Sequence, residues 1–374
     1  MLRFLTAGES HGPCLTAILE GMPSGVPVDP AVIAREMRRR QLGYGRGPRM
    51  QFEPDAVELC SGLRQGKTLG SPITLVIKNK DASLDRLPVV TQPRPGHADL
   101  VGAMKYDHRD IRNVLERASA RETAARVAVG AVCRQLLSPL GISLGSHVVA
   151  LGAVQAKPAS PTVAQLRAKA DPTPLRCLDP AATKRMIAAI DAAMAAGDTL
   201  GGVFEVRVEG IPPGLGSHVH YDRRFDAILG RAMLSIHAVK AVEIGDGVRA
   251  ASLPGSKVQD EIFYVRNRGF SRSQNRAGGF EGGMTNGEPL IIRGYLKPLS
   301  TLRKPLRSVE INTKRPVVAT VERTDVTTVP AAGVIGEAMV AFELANAILE
   351  KFGGDSHREL KRNYQSYLRQ IRQF

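Results

Sequence analysis

The chain has 374 residues, 43% of them hydrophobic and 23% charged, with aromatics at 5% and no Trp. These are ordinary globular values; they exclude a fibrous or disordered chain and leave the core to Ala, Val, Leu and Ile. Lys and Arg number 51 against 36 Asp and Glu, a net charge of +15 that calls for an anionic partner: nucleic acid, a membrane surface or a phosphorylated small molecule.

Near the N-terminus, Arg3, Glu9 and His11 interrupt any secretory core, and no stretch reaches the roughly 18 uninterrupted apolar residues of a membrane span. The four cysteines (Cys14, Cys60, Cys133, Cys177) lack C-x-x-C spacing. Free thiols in a reducing, cytoplasmic setting are expected, and no metal site.

The first motif is TAGESHG, residues 6–12. Neighbouring residues rarely present nucleophile and base to each other, and no G-x-S-x-G elbow surrounds the Ser10–His11 pair, so it is not a hydrolase triad. Helical periodicity over 29–40 leads into RRRQLGYGRGPR, with Arg40, Arg46 and Arg49. Guanidinium groups suit bidentate binding of phosphate and carboxylate. A solvated helix end and an RGG-like nucleic-acid segment stay open for this stretch alone. After a strand pattern at 73–77 comes QPRPGHAD, residues 92–99. Its prolines and glycine make a rigid turn that holds Arg94 beside His97. The arginine can bind an anion while a protonated imidazole donates to a leaving oxygen; a satisfied structural histidine is the plainer alternative.

Periodicity over 114–137 reads as one Ala/Val-rich helix containing ERASARET. On it Arg117 and Arg121 share a face at i, i+4, and Ser119 lies near the start, where the dipole favours phosphate. An exposed face with Arg117 paired to Glu116 or Glu122 fits equally. Residues 155–180 are the candidate peripheral excursion of an otherwise single domain, 1–374. Further helices are expected at 183–196, 225–236 and 332–352, and strands at 203–208, 290–295 and 317–321. His218 and His220 have no third ligand nearby. GGFEGGMTNG (278–287) permits close backbone approach, and Lys297-Pro298-Leu299-Ser300-Thr301 joins a cation to two hydroxyls. Asp325 closes the last strand as a base or as the partner of Arg323. The apolar stretch 330–349 carries Glu337 and Glu343 and is expected to be amphipathic. Helices and strands do not alternate regularly, so the fold class is α+β.

Taken together and in this order, TAGESHG, RRRQLGYGRGPRM, PRPGHADL, ERASARETAARVAVG, GGFEGGMTNG, KPLSTL and ERTDV resemble the chorismate synthase family over residues 4–352. The resemblance implies a β-α-β sandwich, a homotetramer and a lyase acting on a small anionic substrate. The implied reaction is the last step of the shikimate pathway, the anti-1,4-elimination of phosphate from 5-enolpyruvylshikimate 3-phosphate, with reduced FMN required and no net redox change. It implies that His11 protonates or stabilises the reduced flavin and that His97 assists the departing phosphate. Asp325 would act with the flavin N5 in removing the ring proton. Ser10, Arg40, Arg46, Arg49, Arg94 and Arg121 would hold substrate. Arg40 and Arg46 are also where the family places NADPH, and whether this chain reduces its own flavin is left open. Arg117, Ala118, Ser119, His237, Ala238, Gly282, Lys297, Pro298, Leu299, Ser300, Thr301 and Arg323 would meet FMN. The chain departs from the family's usual pattern at His237 (often Asn), Ala118 (Ser) and Thr324 (Ser). Two other function classes predict different behaviour. A flavin oxidoreductase would consume NADPH one-for-one, and a nucleic-acid binder would release no phosphate.

Overall fold

The computed structural model describes residues 1–47, 54–266, 269–322 and 325–374. Arg49, Arg323 and Thr324 therefore lie outside the described residues. Strands β1 (Arg3–Ala7) and β2 (Cys14–Glu20) form an antiparallel hairpin whose loop, residues 8–13, carries GESHGP. Gly8 makes the exit from β1 with φ +102°, and a Cβ there would lie 2.2 Å from the Cys14 carbonyl oxygen, so only glycine fits. With β3 (Glu58–Leu59) and β4 (Ile73–Lys78) the hairpin builds a four-stranded antiparallel sheet, order β1-β2-β4-β3. Its alternation puts Leu15, Ala17, Leu19, Ile73, Leu75 and Ile77 on the buried face. A second antiparallel sheet contains β5 (Ser143–Leu151), β6 (Val154–Gln155), β7 (Gly202–Glu209), β8 (Val239–Ile244) and β9 (Leu290–Leu296), in the order β8-β9-β7-β5-β6.

The helices used below are α1 (Pro30–Gln41), α2 (Asp99–Tyr106), α3 (Arg112–Leu115), α4 (Thr123–Leu137), α5 (Pro180–Ala195), α6 (Phe225–Leu234), α7 (Val329–Phe352) and α8 (His357–Gln373). Asp29 caps α1 by accepting from the Ala31 N–H, with Pro30 in the first turn. Helix α4 packs on β2 and β4, α7 packs on β5 and β7, and α4 and α7 pack on each other. Each Leu or Ile fully buried between these layers contributes about 1.5–3 kcal/mol.

Three sequence expectations are corrected. Helix α7 is not amphipathic: it is buried on all sides, and Glu337 and Glu343 are buried with it. It is long and apolar enough to cross a membrane, yet 94% of that window lies inside the protein. Glu337 is tolerated there because Arg39 (2.8 Å), Arg134 (2.5 Å) and Arg176 (3.2 Å) donate to its carboxylate, with the Ser146 hydroxyl at 2.6 Å. Burial alone would raise its pKa; Arg39 and Arg134 hold it well below the usual value. Residues 155–180 supply Arg176 and Asp171 to this cluster and bury Val163, Leu166, Leu175 and Cys177.

The helix expected over 114–137 is broken. Helix α3 ends at Leu115, Ser119 is extended (ψ 141°), and a 3-10 turn, Ala120–Glu122, leads into α4. The Ser119 hydroxyl accepts from the Arg121 N–H at 3.3 Å and caps the restart, so Arg117 and Arg121 leave the chain in different directions. The strand expected at 317–321 stops at Val318, paired with Arg307–Val309, and Asp325 follows in a loop.

Candidate active site

The β1–β2 loop is tied to the short helix α3. The Ser10 N–H donates to the Glu116 carbonyl at 3.1 Å, and the His11 N–H donates to Glu116 Oε2 at 3.0 Å. His11 Nδ1 lies 2.8 Å and 3.0 Å from the two Glu116 oxygens. Arg112 Nη1 donates to Glu116 Oε1 at 3.0 Å. Burial opposes ionisation of Glu116, but the His11 and Arg112 bonds outweigh it and hold the carboxyl below its usual pKa. His11 Nε2 is 3.9 Å from Asp81 Oδ2.

The 92–99 turn makes a second knot of the same composition. Asp99, fully buried at the start of α2, accepts from Arg94 Nε at 2.8 Å, from Arg94 Nη2 at 3.0 Å and from the Arg94 backbone N–H at 3.0 Å. His97 Nδ1 is 2.5 Å from Asp99 Oδ1. Against burial, His97 and Arg94 hold Asp99 far below the carboxylate range. The 297–301 stretch folds onto this turn: Arg94 Nη1 donates to Thr301 Oγ1 at 3.0 Å, and Lys297 Nζ donates to the Gly96 carbonyl at 2.7 Å. Burial, with Lys240 nearby, lowers the Lys297 pKa.

Arg40, near the end of α1, and Arg121 converge on one carboxylate, that of Asp55. Arg40 donates to Asp55 Oδ2, Thr123 Oγ1 and the Ala120 carbonyl, each at 3.1 Å. Burial, reinforced by Arg46 and Arg121 and opposed by Asp55, pushes its pKa down to about 10, so it remains cationic at neutral pH. Arg121 donates to Asp55 and, at 3.0–3.1 Å, to Asn79 Oδ1. Asn79 in turn donates to the carbonyls of Glu9 (3.1 Å) and Gly12 (2.8 Å), which joins this cluster to the His11 loop. Arg46 pairs with Asp325 at 3.1 Å, and Asp325 also accepts from the Gly47 N–H at 2.5 Å. Arg46 Nε is buried with no hydrogen-bond partner among the described residues.

Arg117 braces the loop from the other side, donating to the carbonyls of Gly8 (3.1 Å) and Thr6 (2.8 Å). His237 follows α6. Burial lowers its pKa, opposed by Glu122 and reinforced by Arg126, His97 and Arg117. Its Nδ1 is buried and unpartnered among the described residues. Ala238 adopts φ 67°, and its carbonyl accepts from the Lys297 N–H at 2.9 Å.

The chain matches the family model described as Chorismate synthase over residues 2–349. The chorismate synthase of Symbiobacterium thermophilum is 55% identical over 388 residues, covering 99% of both chains. That of Desulforamulus reducens is 56% identical, covering 99% of this chain and all of its own. A crystal structure of chorismate synthase superposes with a TM-score of 0.84 at 44% identity, covering 100% of this chain and 99% of that one. The chain belongs to the chorismate synthase family.

The residues singled out from the resemblance gather in distinct groups. Ser10, His11, Arg40 and Arg121 are linked through Asp55, Asn79 and the 8–12 loop, Arg46 pairs with Asp325, and Arg94, His97, Lys297 and Thr301 form a second knot. His237 feels the charges of His97 and Arg117. Ala118 and Ser119 occupy the break between α3 and α4. Leu299 lends its carbonyl to Thr199 at 2.8 Å, Pro298 sits against Gly201, and Ser300 lies beside Gly96. Gly282, in the turn of a small hairpin (Phe280–Glu281 with Met284–Thr285), neighbours His218, and no contact among the described residues ties it to the cluster. The readings of Arg117 paired with Glu116 or Glu122 are corrected. Glu116 serves His11 and Arg112, while Glu122 serves Arg126 at 2.8 Å and Thr6 at 2.7 Å.

Sequence reasoning passed over Glu116, Arg112, Asp99, Asp55 and Asn79. The H-x-D spacing of His97 and Asp99 was a local signal for one of them. Asp55 and Asn79 had none, because their partners lie far away in the chain.

Proposed function

We infer that this chain is a carbon–oxygen lyase that converts 5-enolpyruvylshikimate 3-phosphate to chorismate by anti-1,4-elimination, the last step of the shikimate pathway. The observation that carries the reading is the meeting of Arg40 and Arg121 on Asp55, tied through Asn79 to the His11 loop, together with the Arg94–His97–Asp99 knot and the Arg46–Asp325 pair. One phosphate and two carboxylates on the substrate need fixed cations if they are to leave water together. In this reading Arg40, Arg46, Arg94 and Arg121, with Arg49 and Ser10, hold the substrate. His97 supplies a proton to the departing phosphate oxygen, and Asp325 accepts the ring proton.

The residues also fit a phosphorylated flavin. Arg117 and Lys297 donate only to backbone carbonyls and a hydroxyl, with no ion-pair partner among the described residues, so their charge awaits an anion. His237 Nδ1 and Arg46 Nε are buried polar atoms without partners among the described residues. Arg117, Ala118, Ser119, His237, Ala238, Gly282, the 297–301 stretch and Arg323 would hold reduced FMN. When bound, that cofactor supplies the electron density that eases loss of phosphate and recovers it as the proton leaves. His11 holds a proton toward it. Arg40 and Arg46 are the NADPH contacts.

The layering of sheet, helices and sheet is read as the family's β-α-β sandwich in a single catalytic domain, 1–374. We place the chain in the cytoplasm as a homotetramer, with four unpaired cysteines in keeping with a reducing compartment. The exposed apolar side chains of α2 (Leu100, Val101, Met104, Tyr106) support self-association. The test is anaerobic: phosphate and chorismate form only with reduced FMN, without stoichiometric consumption of reductant. Product in step with NADPH oxidation would overturn the lyase reading. Running NADPH against chemically reduced FMN identifies the reductant.

A further inference from the structure

The two histidines of the site are mounted alike. Each ring belongs to a loop, each partner carboxylate stands at the end of a helix, and an arginine binds a carboxylate oxygen that is also within reach of the ring. Glu116 ends the turn of α3, with its side chain 1% exposed; it takes the backbone N–H and the ring Nδ1 of His11, and Arg112 Nη1 shares Oε1. Asp99 opens α2, with its side chain 0% exposed; it takes His97 Nδ1 on Oδ1, which Arg94 Nη2 shares.

We propose that Glu116 and Asp99 are positioning residues: each accepts the Nδ1–H of its histidine, so that Nε2 is the nitrogen each ring offers to ligand. The inference rests on the assignment of His11 and His97 as the proton-handling groups of the reaction read above. An ionised carboxylate is an acceptor only, so a ring nitrogen at 2.5–2.8 Å from it must carry the hydrogen. Both carboxyls are held below their usual pKa despite burial, which is consistent with ionised acceptors. Arg94 Nη2 also lies 3.1 Å from His97 Nδ1, but that nitrogen's hydrogen points to Asp99, and the guanidinium bond goes to the carboxylate. At 3.5 Å from Nε2 the same Nη2 is at the limit of hydrogen-bond reach. Asp81 Oδ2 lies 3.9 Å from His11 Nε2, on the side of the ring away from Glu116. A loop-borne imidazole alone turns about χ1 and χ2. Anchored at Nδ1 to a helix-borne acid that an arginine keeps from rotating, it holds one tautomer and one orientation.

The test is 15N NMR of imidazole-labelled, full-length enzyme without ligand, at alkaline pH. The wild-type protein is expected to show the Nδ1–H tautomer at both rings. In Glu116→Gln, the amide N–H2 can donate to Nδ1, and His11 alone should move toward the Nε2–H tautomer; in Asp99→Asn, His97 alone should move. Glu116→Asp, which retains the carboxylate, should restore part of the wild-type signal. In turnover with reduced FMN, kcat should fall about 10–100-fold in the Gln and Asn variants, with KM changed less than about threefold. An Nε2–H tautomer at either ring of the wild-type enzyme overturns the proposal for that ring even if no variant folds. So does an unchanged tautomer or an unchanged kcat in a folded variant. The ligand-free spectra do not depend on turnover. If the wild-type enzyme makes no chorismate, the functional reading fails while the tautomer result stands.

Discussion

Arg39 and Arg40 are consecutive on α1 and face two different charge clusters. Behind the helix, Arg39, Arg134 and Arg176 pair with Glu36, Asp171 and Glu337, with Arg167 beside them on the Leu144 carbonyl, four cations against three anions. On the other side, Arg40 and Arg121 pair with Asp55, Arg46 with Asp325 and Arg94 with Asp99, while Arg117 and Lys297 have no ion-pair partner among the described residues, six cations against three anions once the Arg112–Glu116 pair is set apart. Both clusters are buried and arginine-rich, so neither composition nor burial separates them. The balance of charge does. A cluster whose charges nearly balance serves the fold, whereas one with a large excess of cations is complete only with an anion bound.

Breaking the nearly balanced cluster should produce the largest effect. Glu337→Ala leaves three arginines around an empty place in α7 and should cost about 3–5 kcal/mol of stability in denaturant unfolding, with no recovery on adding phosphate. A loss below about 1 kcal/mol would mean that the cluster is better hydrated than its burial implies. The pH dependence has a definite sign. Glu36 and Glu337 have folded-state pKa values below the usual 4.5, so the folded protein binds their protons less tightly than the unfolded chain does. Their contribution is complete above about pH 4.5 and is lost as the pH falls below it. Glu205, held down to about 2 against burial by His147 and Arg207, adds to the same acid limb between about 4.5 and 2. Glu337→Gln should flatten that limb.

On the unbalanced side the same kind of substitution should spare the fold and strike turnover. His11→Ala and His97→Ala should each lower kcat about 100-fold or more, the usual range for a lost proton donor, while unfolding midpoints stay close to wild type. Near-normal turnover in either variant would remove that residue from the proton inventory. Asp325→Asn should abolish ring-proton abstraction, followed as loss of label from deuterated substrate, and retained abstraction would exclude Asp325 as the base.

An intermediate effect tests the charge argument directly. If the six cations await an anion, inorganic phosphate should stabilise the folded enzyme by mass action, by about 2.7 kcal/mol at a hundred times its Kd. Arg117→Met should weaken that stabilisation. A stable rear-cluster variant such as Arg176→Lys should keep it in full. Equal loss in both would dissolve the distinction between the clusters.

The contrast also explains what was legible in the sequence. The histidines and arginines of the site stand in dense motifs with turn chemistry around them, and these could be read locally. Of their carboxylates Asp99 stands within the same motif, but the distant ones could not be read: Asp55 meets Arg121 across 66 residues, and Glu116 meets His11 across 105. The break at 116–119 has neither Pro nor Gly, and it arises because Arg117 and Arg121 are claimed by different partners. Glu337 looked like the polar face of α7 because a periodicity argument assumes that charge seeks water. Helix α8 went unread although Ser356 and Glu359 offered a capping signal, which the structure uses at 3.2 Å. The antiparallel pairing of both sheets lay beyond reach, since register is decided between distant strands.

The smallest expected effect concerns His237. Burial disfavours its imidazolium, and the neighbouring Arg126, His97 and Arg117 push the same way against Glu122, so its folded-state pKa lies below the usual 6.5. The unfolded chain therefore binds this proton more tightly, and the stability due to His237 is present above about pH 6.5 and lost as the pH falls below it. Asn keeps a donor and an acceptor near the same place and cannot titrate, so His237→Asn should remove this step from a plot of unfolding midpoint against pH. If the unpartnered Nδ1 is a flavin contact, the same variant should also alter FMN affinity measured by flavin fluorescence, because a polar atom built to meet a ligand loses its geometry. A changed pH profile with unchanged FMN affinity would make His237 a wall of the site. An unchanged pH profile would show that its ring reaches water, and the charge on that side would need to be drawn again.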